Sequence, residues 1–227
     1  MTRRTVALLA VLLALVALVG CGSDDDASDD GSGAPADPTT DAPGDTTGER
    51  IDLGATEALT WGDGPQGVVL AHGSAFDAAS WEVQATAIAD QGAAVVSVEE
   101  TSTEGIDAAV DHLRDQEGVE QVILMGGSSG ADAILDLAST QPDLPDGLIL
   151  LSPNSTVEGL GEEPKLFVAS EEEGVADVST ELAASAPGDD NEALILPGSD
   201  HAQNIFDGDQ ADALTEAILA QLRQLAG

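Results

Sequence analysis

From about residue 60 to the C-terminus, short apolar runs alternate with longer amphipathic stretches, the pattern of a parallel sheet covered by helices. The runs Val68–Ala71, Ala94–Val98, Gln121–Met125, Leu148–Leu151, Leu166–Ala169 and Ala193–Leu196 predict strands. Most are apolar without a break, as strands buried on both faces should be. Between them, 80–90, 104–115, 131–139, 175–186 and 210–225 predict helices. The segment Ile51–Trp61 adds one or two antiparallel edge strands. There is no internal repeat, and with no tyrosine and 2% aromatic residues the core must be built from Val, Leu, Ile and Ala.

The first fifty residues do not share this pattern. Arg3 and Arg4 precede an uncharged stretch, Val6–Val19, that ends in Leu18-Val19-Gly20-Cys21. This is the layout of a signal peptide, and it is short of the roughly 20 residues that span a bilayer. Leu-Val-Gly-Cys resembles the lipobox of bacterial lipoproteins. That resemblance implies removal of residues 1–20, a lipid on Cys21, and a protein exported and anchored to the outer face of the cell membrane. Cys21 is the only cysteine, so no disulfide supports the fold. From Gly22 to about Arg50 the chain is Asp, Gly, Ser, Thr, Ala and Pro, too polar to offset its own chain entropy. A flexible tether of this length reaches roughly 30 Å. The expected plan is signal peptide (1–20), lipidated acidic tether (21–50) and one catalytic-sized domain (51–227).

Charge narrows the partners. The formal net charge is −37, and loss of Arg3 and Arg4 takes it to −39. Such a field repels nucleic acid and anionic lipid head groups, both of which need basic patches. After cleavage only Lys165, Arg50, Arg114 and Arg223 are cationic, so most carboxylates lack an ion-pair partner. Two explanations stay open: adaptation to salt, or solubility of an exported protein. No metal or cofactor motif is present, and a monomer is expected.

The chemistry centres on Gly126-Gly127-Ser128-Ser129-Gly130, directly after an apolar run and before an amphipathic stretch. A strand, a sharp turn carrying a serine with glycines two before and two after, and a helix make a nucleophile elbow. The helix aims its first N–H groups at charge that develops beside the serine. Ser128 is the expected nucleophile; Ser129, flanked by Gly127 and Ala131, is the alternative. Of three histidines, His201 leaves the last strand at its C-terminal end, where open parallel sheets bind ligands, and is the expected base. His72 is expected to shape a turn, and His112 to face solvent from a helix. The acid should lie between serine and histidine after a strand, where Glu171-Glu172-Glu173 follows Leu166–Ser170. Glu173 is the first choice and Glu172 the second, ahead of Asp177 and Asp200. Oxyanion donors would be the N–H of Ser129 and that of Ser74 or Ala75.

These residues together resemble the α/β-hydrolase family, in particular its small lidless members related to dienelactone hydrolases. Val69-Leu70-Ala71-His72-Gly73 is similar to the family's first oxyanion segment, Ile123–Ala131 to its elbow, and Leu196–His201 to its histidine loop. The resemblance spans residues 60–225. It implies a three-layer α/β sandwich with a mostly parallel sheet, helices on both faces and no lid domain. It also implies serine-centred hydrolysis of a small ester, thioester or similar acyl compound through an acyl-enzyme. The family's commoner aspartate is absent from the acid loop, which keeps open a catalytically idle domain used for binding. A solute-capturing lipoprotein would need two lobes, and this chain is too short for them.

Overall fold

A computed structural model of the chain describes residues 46–227. The signal segment, Cys21 and nearly all of the tether lie outside the described residues. The domain begins earlier than residue 51: strand β1 spans Glu49–Asp52, and Thr46 and Thr47 already hydrogen-bond to the Glu82 carboxylate.

Among the described residues eight strands form one sheet. After β1 come β2 (Glu57–Trp61), β3 (Gln66–Ala71), β4 (Ala93–Val98), β5 (Gln121–Gly127), β6 (Gly147–Leu151), β7 (Lys165–Ser170) and β8 (Asn191–Leu196). Their spatial order is β1-β2-β4-β3-β5-β6-β7-β8. β1 and β2 pair antiparallel at one edge, and the other six strands run parallel. The helices are α1 (Glu82–Ala89), α2 (Thr103–Asp115), α3 (Ser129–Thr140), α4 (Ala176–Ser185) and α5 (Ala211–Leu225). Two 3₁₀ turns were not legible in the pattern as separate elements: Ala78–Trp81, which supplies the first residues of the expected 80–90 helix, and Ala202–Asp207.

Alternation along the strands divides the core into two layers. Val69, Val96, Leu124, Leu150 and Phe167 face one way and pack with α2, α3 and α4. Leu70, Val95, Ile123, Ile149 and Val168 face the other way and pack with Trp81, α1 and α5. Both faces of the parallel strands are therefore dry, which is why their sequences read as unbroken apolar runs. Between β6 and β7 only residues 152–164 intervene, with no inserted domain.

At the opposite end of β7 from the strand tips, Lys165, the only lysine, is fully buried. Its ammonium donates to the carbonyls of Gly161 (2.8 Å), Glu163 (2.6 Å) and Pro187 (3.0 Å) and lies 3.5 Å from the Glu163 carboxylate. Burial lowers the Lys165 pKa from the usual lysine range, against the pull of Glu163. Burial likewise raises that of Glu163, against its hydrogen bonds and Lys165. Lys165→Met would leave three carbonyls and a carboxylate unpaired, an expected loss of about 3–5 kcal/mol. At about 2–4 °C per kcal/mol for a domain of this size, the thermal midpoint should fall by roughly 10 °C.

The sign for Glu163 follows from linkage. A carboxyl whose folded pKa is raised stabilises the protein below about pH 4.5 and loses that contribution as pH climbs through the folded value. Wild type should therefore lose more stability than Glu163→Gln as pH rises from 4.5. Parallel stability curves for the two, from chemical denaturation, would contradict this.

Candidate active site

Five strand tips converge at the C-terminal edge of the sheet. Ser128 stands between β5 and α3 with φ 52° and ψ −118°, a region that non-glycine residues rarely occupy. Its N–H donates to Leu151 O (2.8 Å), and its carbonyl accepts from Asp132 N in the first turn of α3 (3.0 Å). The flanking glycines are required by contact. A Cβ on Gly126 would fall 2.8 Å from the Gly130 carbonyl carbon, and one on Gly130 would fall 2.3 Å from Ala71 O.

Ser128 Oγ lies 2.9 Å from His201 Nε2, and His201 Nδ1 lies 2.6 Å from Glu173 Oε2. A carboxylate only accepts, so Nδ1 carries the proton and Nε2 is left to accept from the serine hydroxyl. The imidazole is about 39% exposed, whereas the Glu173 side chain is only 4% exposed. The other Glu173 oxygen accepts from Ser152 Oγ (2.8 Å) and from Ser170 N (2.7 Å). Ser152 Oγ in turn accepts the N–H of Ala202 (2.9 Å), so one hydroxyl ties the acid to the residue after the histidine.

Backbone register selects among the three glutamates. The N–H groups of Glu171 and Glu172 are held by Leu196 O at the end of β8 and by Gly198 O just beyond it, while that of Glu173 turns back to Ser170 O. This return brings the Glu173 side chain inward. Glu172 is exposed, as are Asp177 and Asp200, and none of the three is bonded to His201.

Ser129 opens α3, with its hydroxyl buried and without a partner. His201 meets Ser128, not Ser129. Ser74 and Ala75 are the central residues of a turn closed by Phe76 N to Gly73 O (3.0 Å). Among the described residues no hydrogen bond uses the N–H of Ser74, Ala75 or Ser129. His72 is buried in the same turn, its ring nitrogens 2.8 Å from Gly73 O and 3.0 Å from Glu99 O. His112 is half-buried on α2 and bonded to Gln116, more enclosed than a solvent-facing position.

Ser152 and Gln203 escaped sequence reasoning. Ser152 has one legible signal, its place immediately after an apolar strand, and Gln203 has only its proximity to His201. Backbone strain marks the site independently. Among the described residues the non-glycine positions with positive φ are Ser128, Ser152 (49°) and Ala202 (50°), and all three lie here. Such conformations cost about 1–3 kcal/mol each and gather at functional sites. A cleft of about 160 Å³ lies between the segment that follows β3 and the 3₁₀ turn after His201, lined by Phe76, Ser80, Val83, Gln203 and Phe206. No group of three or more His, Cys, Asp or Glu among the described residues is arranged to hold a metal ion, and no described helix is long and apolar enough to cross a membrane.

Solved structures similar to this one carry the same architecture. A predicted CIB-like hydrolase from Thermoplasma acidophilum is 22% identical, with a TM-score of 0.60 over 78% of this chain and 97% of its own. Est1E from Butyrivibrio proteoclasticus is 17% identical, with a TM-score of 0.61 over 79% and 99%. A monoacylglycerol lipase of Paleococcus ferrophilus is 15% identical, with a TM-score of 0.61 over 78% and 99%.

The chain has the α/β-hydrolase fold. No family model matches the sequence, and no curated protein does. In this fold the C-terminal ends of the parallel strands, where Ser128, His201 and Glu173 lie, are where open α/β sheets bind ligands.

Proposed function

We propose that this protein is a serine hydrolase that cleaves a small ester, thioester or similar acyl compound through an acyl-enzyme. The observation that carries this reading is the continuous hydrogen-bonded line from Ser128 through His201 to Glu173. In the reaction, Ser128 Oγ attacks the acyl carbon while His201 Nε2 takes the hydroxyl proton. Glu173 keeps the imidazole oriented and stabilises it once charged. The carbonyl oxygen becomes an oxyanion beside the N–H of Ser129 and that of Ser74 or Ala75, already free of other bonds. His201 then returns the proton to the leaving group, and water repeats the sequence on the acyl-enzyme.

The solved esterases and lipases of this fold support the ester-hydrolysing class. The cleft supports a small substrate: its volume of about 160 Å³ is below the roughly 300–1,000 Å³ of pockets that take drug-sized ligands. Val83, 74% exposed at its mouth, is placed to meet the substrate chain. Filling the cleft with Val83→Trp is expected to reduce kcat/KM for p-nitrophenyl butyrate about tenfold relative to acetate. Equal effects on both esters would remove the cleft from the substrate path.

The tether and lipid anchor belong to the same proposal. Leu18-Val19-Gly20-Cys21 supports export and attachment to the outer face of the cell membrane. Cells fed a labelled fatty acid should incorporate it into the protein, and Cys21→Ser should abolish the label and release the domain from the membrane. An acidic, membrane-tethered domain fits a soluble small-molecule substrate and no nucleic acid.

A further inference from the structure

We propose that Gln203 is a positioning residue that fixes the oxyanion turn to the histidine loop; this rests on the hydrolase reading above. Gln203 is two residues beyond His201 and 6% exposed. Its Oε1 accepts the N–H of Gly73 at 2.8 Å, and its Nε2 donates to Ser80 Oγ at 2.8 Å. The amide's orientation follows from its partners. Gly73 N–H only donates, and Ser80 Oγ, which gives its proton to Asp77 O, is free to accept. Both ends of the amide therefore grip one loop, at the beginning and end of the segment 73–80.

The same side chain lies against the nucleophile's strand. A Cβ built on Gly127 would lie 3.5 Å from Gln203 Cγ and 3.7 Å from its backbone N. One neutral residue thus touches the histidine loop, the strand that ends in Ser128 and the turn that holds Ser74 and Ala75. Gly73 is the hinge of that turn. Its carbonyl is committed to Phe76 N and faces His72 Nδ1, and its N–H is committed to Gln203. With Gly73 held from both sides, the backbone of the next two residues, whose N–H groups carry no other hydrogen bond among the described residues, is fixed at its start. A glutamine suits this task because a neutral amide supplies an acceptor and a donor in a dry place with no charge to bury.

Gln203 acts through the turn and does not touch the reacting atoms, so its loss should weaken transition-state stabilisation more than substrate binding. In the full-length protein, Gln203→Met keeps the side-chain length and removes both hydrogen bonds. It is expected to lower kcat by about 10- to 100-fold, less than or comparable to loss of one oxyanion donor, with a smaller change in KM, since Gln203 also lines the cleft proposed for the substrate. Amide hydrogen exchange at Gly73, read without substrate, should become faster. Gln203→Glu keeps an acceptor for Gly73 N–H but adds a charge in a dry place, and should recover the slow Gly73 exchange in part and kcat to a value between those of wild type and Gln203→Met. Ser80→Ala, a milder change that removes only the second anchor, should lower kcat a few-fold and serves if the methionine variant does not fold.

Unchanged Gly73 exchange in Gln203→Met or in Ser80→Ala, or an unchanged kcat, would overturn the proposal. So would a parallel fall in kcat and folded fraction with no change per folded molecule. A wild-type protein that turns over no ester would sink the hydrolase reading alone, and the exchange rates would still decide the role of Gln203.

Discussion

Ser128→Ala and His201→Ala are each expected to lower kcat for a p-nitrophenyl ester by about 10⁴–10⁶-fold, and the double variant by no more than either single one. The hydroxyl and imidazole work as one unit: a serine whose proton has no acceptor is a poor nucleophile, and an acceptor without a serine has nothing to activate. Their losses therefore cannot add. What remains should be the modest acceleration from binding and from the backbone N–H groups around Ser129 and Ser74. Steady-state rates for the three variants check this. Losses that multiply in the double variant would mean that the two side chains act separately, whatever their 2.9 Å spacing.

Glu173→Gln carries the second-largest effect, expected at about 10⁴-fold in kcat with KM little changed. An amide in place of the carboxylate presents an N–H as readily as an oxygen. Facing the former, His201 would carry its proton on Nε2 and could no longer accept from Ser128. The amide would also stop offsetting the positive charge that the imidazole gains in the transition state. Two donors, Ser152 Oγ and Ser170 N, already aim at Oε1, and they would set the amide with its oxygen toward themselves and its nitrogen toward His201. Glu172→Gln is the matched control and is expected to stay within about twofold of wild type, since a surface change away from such contacts has little effect. Equal losses in the two variants would mean that the loop as a whole, and not the Glu173 carboxylate, supports the histidine.

The fold was legible because both-face burial leaves a strong trace. Val68–Ala71, Ala94–Val98 and Leu148–Leu151 read as strands because neither side of the sheet meets water there. The edge strand β8 begins at Asn191, earlier than its apolar part, because its first residues are partly exposed and carry polar side chains. The first residues of the domain leave little trace in the sequence for a similar reason. Thr46 to Arg50 have the composition of the tether, and contacts with later residues, to Glu82, to Trp61 and through the pairing of β1 with β2, place them on the domain.

At the site, what local rules dictate could be read, and what tertiary approach dictates could not. The elbow shows in the sequence because glycines two before and two after Ser128 are forced by contacts with Ile134, Gly130 and Ala71. A run of three glutamates offers no such signal. The choice falls to the hydrogen bonds that the end of β8 and the loop after it make with Glu171 and Glu172, leaving Glu173 to turn inward. Ser152 and Gln203 are ordinary residues until β6, the histidine loop and the oxyanion turn meet, and the strained backbone of Ser152 and Ala202 exists only in that meeting.

The most direct measurement is to treat the folded full-length protein with a fluorophosphonate and locate the adduct by peptide mass spectrometry. An activated serine held by His201 and Glu173 should be modified stoichiometrically at Ser128, with labelling lost in Ser128→Ala and strongly slowed in His201→Ala. A folded protein that takes up no reagent, or takes it up at Ser129 or elsewhere, would contradict the central claim.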